Sequence, residues 1–168
     1  MKEKTVIGST EFVDFGERAQ KVPAKIDTGA DSSAVWASNI RIDKDGVLKF
    51  SIFGEGSPYY NGKIFKRTDY SVARVRSSSG HEQIRYRTHF WVKLGGRKIK
   101  MLMNLSDRSK NEFPVLIGRR SISGKFLVDV SKKKVRRKKA PTVFSLNEEI
   151  KLDPYKFYKK YHQKGGKK

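Results

Sequence analysis

One segment limits what this chain can fold into more than any other: a half-buried strand that runs without a break into an acidic turn. Val22, Ala24 and Ile26 alternate with Pro23 and Lys25, as residues do on a strand with one face in a core. Asp27-Thr28-Gly29 follows, and the glycine permits a sharp reversal that leaves the carboxylate at the strand end rather than inside it. Taken alone, the triplet is equally an ordinary tight turn. A catalytic reading asks for more, because peptide hydrolysis by carboxylates needs two of them: the ionised one activates water and the protonated one hydrogen-bonds the scissile carbonyl. The sequence holds no second Asp-Thr-Gly or Asp-Ser-Gly, and Asp107-Arg108-Ser109 lacks the turn glycine. The economical arrangement is a C2 homodimer whose axis brings Asp27 against Asp27 of a second copy.

A second segment supports that reading. Phe113-Pro114-Val115-Leu116-Ile117-Gly118-Arg119 has no polar alternation, so it predicts a strand buried on both faces and closing on Gly-Arg. Strand, acid turn and apolar Gly-Arg strand together resemble the retropepsins, the half-size dimeric aspartic proteases. The likeness is closer to one retropepsin-like family, the small bacterial and archaeal proteins often labelled ATP-dependent zinc proteases and associated with the RimK ATP-grasp ligase. The segments that carry it are Lys25 to Ala34, Val75 to Glu82, Leu94 to Arg97, Leu105 to Ser109, and Phe113 to Arg119 with Gly124 to Asp129, in order and in register over residues 5 to about 132.

The resemblance implies an all-β, closed-barrel-like retropepsin fold, one lobe per chain, with Asp27 as catalytic acid/base. It further implies that Thr28 hydrogen-bonds across the two-fold axis and that the Gly29 amide steadies the carboxylates. Asp31 and Arg119 stand where retropepsins pair a carboxylate with an arginine, a match that suits the planar guanidinium fork. Ile117 and Gly118 support the site from the neighbouring strand. Ala30 and Asp31 are expected to line the substrate cleft, as is a hairpin whose small polar tip, Ser77-Ser78-Ser79-Gly80, is the better candidate for a closing flap than the loop from Gly54 to Gly62. Arg74, Arg76, Arg85 and Arg87 alternate on its two arms, so each pair projects from one sheet face; Arg76 and Arg85 are expected to select acidic substrate side chains.

The zinc label finds little in the residues. There is no cysteine, the histidines are His81, His89 and His162, and nothing reads His-Glu-x-x-His. His81 and His89 on one extended strand would be roughly 26 Å apart. No metal and no cofactor are expected, since hydrolysis between two carboxylates needs neither metal nor ATP.

Composition bears on partners. The formal charge is +21, of which +11 lies in residues 132–168. Such a field attracts polyanions: nucleic acid, ribosomal surfaces and glutamate-rich peptides all qualify. No run approaches the roughly 20 apolar residues of a membrane span, and the cysteine-free chain is compatible with a reducing cytosol, so a cytoplasmic protein is expected. The division expected is a peptidase domain at 1–131 and a basic, aromatic-containing tail at 132–168.

Along the chain, strands are expected at 5–13, 19–26, 47–53, 63–67, 70–76, 83–94, 97–105, 113–118 and 125–130, with 33–42 leading to another and one helical turn at 120–123. In the tail, Ser145 to Glu148 reads as a capping box and Asp153-Pro154 as the start of a second short helix carrying Phe157, Tyr158 and Tyr161. Those aromatics suit stacking and phosphate contact, or anchor the tail on its own domain; the last six residues are expected to be unstructured. The leading expectation is a homodimeric aspartic peptidase acting on a glutamate-rich tail, such as that of a glutamylated ribosomal protein. The alternative is an inactive scaffold that binds RNA or ribosome through its basic tail.

Overall fold

A computed structural model describes residues 3–77, 79–136 and 142–162, with side chains from 145 onward in the last segment. Ser78 of the expected flap, part of the charge block and the last six residues lie outside the described residues. Two compact units are present, Met1–Val135 and Arg136–Lys168.

The first unit is almost entirely strand. β1 (Thr5–Asp14) turns into β2 (Val22–Asp27), and the two pair antiparallel. β3 (Ser33–Ile42) is followed by β4 (Leu48–Ile52) and β5 (Phe65–Arg67), which extend β3 as a small outer ribbon. β6 (Ser71–Arg76) and β7 (Glu82–Leu94) make a hairpin, and β7 continues through a two-glycine turn into β8 (Arg97–Ser106). β9 (Val115–Gly118), the short helix α1 (Arg119–Ile122) and β10 (Phe126–Lys133) complete it. Six strands close into a barrel in the order β1, β2, β9, β3, β8, β7, and the ring shuts where Val13 and Asp14 of β1 meet Leu94 and Lys93 of β7. This is the all-β, retropepsin-like closed barrel expected.

Alternation explains which faces turn inward. On β7, Thr88, Phe90, Val92 and Leu94 are buried while His89, Trp91 and Lys93 are exposed; on β8, Ile99, Met101, Met103 and Leu105 are buried. Phe15, Phe50, Phe53, Phe65 and Phe90 pack the outer ribbon against β7 with ring centroids 5.3–6.0 Å apart, mostly edge to face, as the ring quadrupole favours.

Strands expected from 19, 63 and 113 begin at Val22, Phe65 and Val115, and two further details differ from expectation. β10 runs on to Lys133, into the lysine block, because its backbone pairs with β1 whatever its side chains are. Lys134 just beyond reaches Glu11, whose carboxylate is almost wholly buried: Oε1 accepts the Gly8 N–H at 2.8 Å, and Oε2 lies 2.8 Å from Lys134 Nζ as an ion pair without hydrogen-bond alignment. In the second unit, α2 spans Thr142–Leu152, so Ser145 lies inside the helix and not at the start that a capping box would mark. α3 (Pro154–His162) starts where expected, with Asp153 Oδ1 accepting the Lys156 N–H at 2.9 Å.

Candidate active site

The barrel topology makes the acid turn. β9 pairs parallel to β2, Asp27 beside Gly118, and antiparallel to β3, Ala34 beside Leu116. Residues 28–33 must therefore cross the end of β9 to carry the chain from one of its sides to the other. The crossing is tight: a Cβ on Gly118 would sit 2.5 Å from the carbonyl carbon and oxygen of Ser32 and 2.9 Å from the Ala30 oxygen, backbone atoms that cannot swing away. Glycine is required there for space, its φ of −83° being open to any residue. The buried Gly118 N–H donates to Ser33 Oγ at 3.0 Å, and Ser33 Oγ meets Ser121 Oγ at 2.7 Å. Arg119 N–H donates to the Ala30 carbonyl at 2.8 Å and Arg120 N–H to that of Asp31 at 3.3 Å.

This frame holds Asp27 at the very end of β2. Its Oδ1 accepts the Gly29 N–H at 3.1 Å and the Ala30 N–H at 3.2 Å, so the turn's own amides orient the carboxylate. Thr28 and Gly29 are exposed at the crest. Asp31 Oδ1 pairs with the Arg119 guanidinium, and its Oδ2 faces Arg120 at 4.0 Å. One carboxylate thus bridges two arginines.

A cleft of about 440 Å³ opens beside the turn, and Gly29, Ala30, Asp31, Arg76, Arg85 and Arg119 all line it. Ile117 and Gly118 sit behind the turn, and Ser77, Ser79 and Gly80 form the hairpin tip away from the lining. Within the tip, Gly80 N–H donates to the Ser77 carbonyl and Ser77 N–H to that of His81, both at 2.9 Å. Arg76 reaches Glu82 at 2.7 Å on its own hairpin.

Of the lining residues that sequence reasoning did not place in the site, two matter most. Arg108 looked like part of a polar loop, yet it is half-buried in the cleft, its Nε donating to the Phe113 carbonyl at 3.0 Å. Burial, and then the nearby Arg85, push its pKa below the usual arginine value; burial does the same to Arg85. Among the described residues neither has an acidic partner, so two partly desolvated cations face one cleft. Asn104 is the other, 3% exposed, with Nδ2 donating to Ser32 Oγ at 2.9 Å. The signal for Arg108 was its place in the Leu105 to Ser109 segment; for Asn104 there was none.

Zinc does not fit the donors present. Among the described residues no three His, Cys, Asp or Glu side chains converge as an ion would need, so no step is assigned to one.

The barrel and the acid turn crossing its inserted strand define the class: a retropepsin-like aspartic endopeptidase fold. Residues 6–139 match the family of the retropepsin-like aspartic endopeptidase RimB, and the chain belongs to this RimB-like family. Curated relatives include a probable alpha-L-glutamate ligase of Shewanella pealeana, 32% identical over 76% of this chain, and one of Desulfotalea psychrophila, 28% identical over 75%. The chain spans only 29% and 28% of the length of these two relatives. A crystal structure of a Legionella pneumophila protein of unknown function shares the fold, with a TM-score of 0.61 at 24% identity over 78% of this chain and 97% of that one. Among the described residues no helix is long and apolar enough to cross a membrane.

Proposed function

We propose that this chain is a homodimeric aspartic peptidase that cleaves an acidic, glutamate-rich protein tail, such as that of a glutamylated ribosomal protein. The observation that carries the reading is a carboxylate set at a strand end by two backbone amides beside a cleft lined by five arginines: Arg74, Arg76, Arg85, Arg108 and Arg119. Two Asp27 side chains, one from each copy, share a proton across the axis, since carboxylates in contact cannot both ionise. The ionised one takes a proton from water, whose oxygen attacks the peptide carbonyl while the protonated one stabilises the growing oxyanion. The tetrahedral intermediate then collapses as the amide nitrogen is protonated and the C–N bond breaks, yielding a carboxylate and an amine.

The arginines supply selectivity in this reading. Arg85 and Arg108 have lost part of their water without gaining a carboxylate, and a substrate glutamate supplies the missing partner. The relatives' names, probable alpha-L-glutamate ligases, support a glutamate-containing substrate.

The test is cleavage of an oligoglutamate-tagged peptide by the full chain and by Asp27→Asn, alongside solution mass. Wild type is expected to cleave as a dimer and Asp27→Asn to lose at least about a thousand-fold in rate, the scale of removing a group that acts only in the transition state. Equal cleavage by both removes the mechanism. A second reading is favoured by α3, where Tyr155, Tyr158 and Tyr161 are 45–64% exposed among lysines: a scaffold that docks RNA or ribosome through residues 132–168. Inactivity of both proteins together with tail-dependent, salt-sensitive RNA affinity selects that one.

A further inference from the structure

A second hollow lies on the other side of the Ser32–Asn104 hydrogen bond. Its volume is about 210 Å³, and Ser32 and Asn104 belong to the walls of both hollows, so the two are contiguous. The barrel register builds its floor: Arg87 stands opposite Asn104 and His89 opposite Leu102, so these side chains share the outward face of the β7–β8 pair, and Lys100 lies two residues further on that face. α1 and the turn after it close the remaining side with Arg120, Ser121 and Lys125.

The lining holds four permanent cations and an imidazole, and no aspartate or glutamate. Their existing partners leave the charge uncompensated. Arg87 Nε donates to the neutral Ser71 Oγ at 2.7 Å, and among the described residues the Arg120 guanidinium has only its distant contact with Asp31 at 4.0 Å. Lys100 and Lys125 have no ion pair among the described residues. Gathering like charges in one concavity costs free energy in the empty protein, and an anionic occupant removes that cost. Asp31 sits at the junction, holding Arg119 toward the first cleft and facing Arg120 of the second hollow.

We infer that this hollow is a remote subsite for the same acidic chain, taking a glutamate carboxylate several residues from the bond cut at Asp27. The inference rests on the cleft being a peptide site, as proposed above. An extended peptide advances about 3.3 Å per residue with side chains on alternate faces, so a run of glutamates offers a carboxylate to one wall about every 7 Å. A continuous acidic run can therefore occupy both hollows, whereas a single glutamate next to the scissile bond fills one. The arrangement makes recognition depend on the length of the acidic run as well as on its presence.

The experiment measures binding apart from cleavage. Full-length Asp27→Asn is titrated into fluorescein-labelled oligoglutamates of about four and about ten residues, lengths that span one hollow or both. The same titrations use Asp27→Asn carrying Lys100→Ser and Lys125→Ser, side chains that make no ion pair elsewhere among the described residues, with thermal melts to check folding. Expected is a loss of about ten-fold in affinity for the long peptide and less than about two-fold for the short one, in keeping with two partly exposed charge pairs. Equal loss for both lengths, or no loss for either, overturns the inference. So does tighter, Lys100- and Lys125-dependent binding of a short oligonucleotide than of the long peptide, which would make the hollow a phosphate site. Failure of wild type to cleave, with the length-dependent loss intact, removes the peptidase reading alone.

Discussion

The acid turn and the tip of the β6–β7 hairpin are written in nearly the same residues, Asp-Thr-Gly-Ala-Asp-Ser-Ser at 27–33 and Ser-Ser-Ser-Gly at 77–80, yet they are built in opposite ways. Around the turn the space is taken up where it crosses β9, not at its crest, where a Cβ on Gly29 would meet only Asp27 Oδ1 at 3.4 Å. Gly118 has backbone against the place a Cβ would occupy, and buried Ser33 carries both the Gly118 amide and the Ser121 hydroxyl. At the tip, Gly80 has φ +85° and nothing within 4 Å of the place a methyl group would take, and the hydroxyls bond one another in the open. Small polar residues therefore mean crowding in one place and freedom of backbone angle in the other. Crowding holds the turn in one shape, whereas the open tip is limited only by its backbone angles.

Substitution can break this contrast. Gly118→Ala is expected to have the largest effect, a loss of about 3 kcal/mol in denaturant unfolding, because the new methyl meets backbone that cannot relax. A loss under about 1 kcal/mol would mean that residues 28–33 yield, and the turn would rank with the tip. Ser33→Ala strips a buried N–H of its acceptor and is expected to cost about 1–2 kcal/mol by the same measurement. Rescue by Thr, which keeps the hydroxyl, would sharpen the assignment to the hydrogen bond rather than to volume. Gly80→Ala is expected to cost about 1 kcal/mol, arising from backbone angle alone. Gly80→Asn, a residue that tolerates positive φ, should recover about half of that; equal losses for Ala and Asn would show that the tip is crowded after all.

Most of the barrel could be read from alternation and turn glycines, since these report which face a residue turns to the core. β7 and β8 are the clearest cases. The Asp27 turn and the apolar β9 were visible for the same reason, each being a local pattern with a local cause. What stayed hidden depends on pairing between distant segments. Arg108 reads as a loop cation until the chain before β9 folds under the cleft, and the second hollow exists only because Arg87 of β7 is placed opposite Asn104 of β8. β10 continues into lysines because a parallel partner bonds its backbone, a fact that side-chain pattern cannot carry. Ser33 to Ile42, with its alanines, serine and asparagine, has weak strand character and is held in the sheet by neighbours on both sides.

The clamp between Glu11 and Lys134 has a bearing on where the chain can be shortened. Thr10 adds a reciprocal latch, its Oγ1 donating to the Val135 carbonyl at 3.1 Å and accepting the Val135 N–H at 3.0 Å. A version trimmed at Ser131 would strand an anion in the interior with its counterion cut away, although every barrel-closing strand would still be present. The first four residues past such a cut behave as the buckle of the N-terminal strand, and a fragment made for study should keep them.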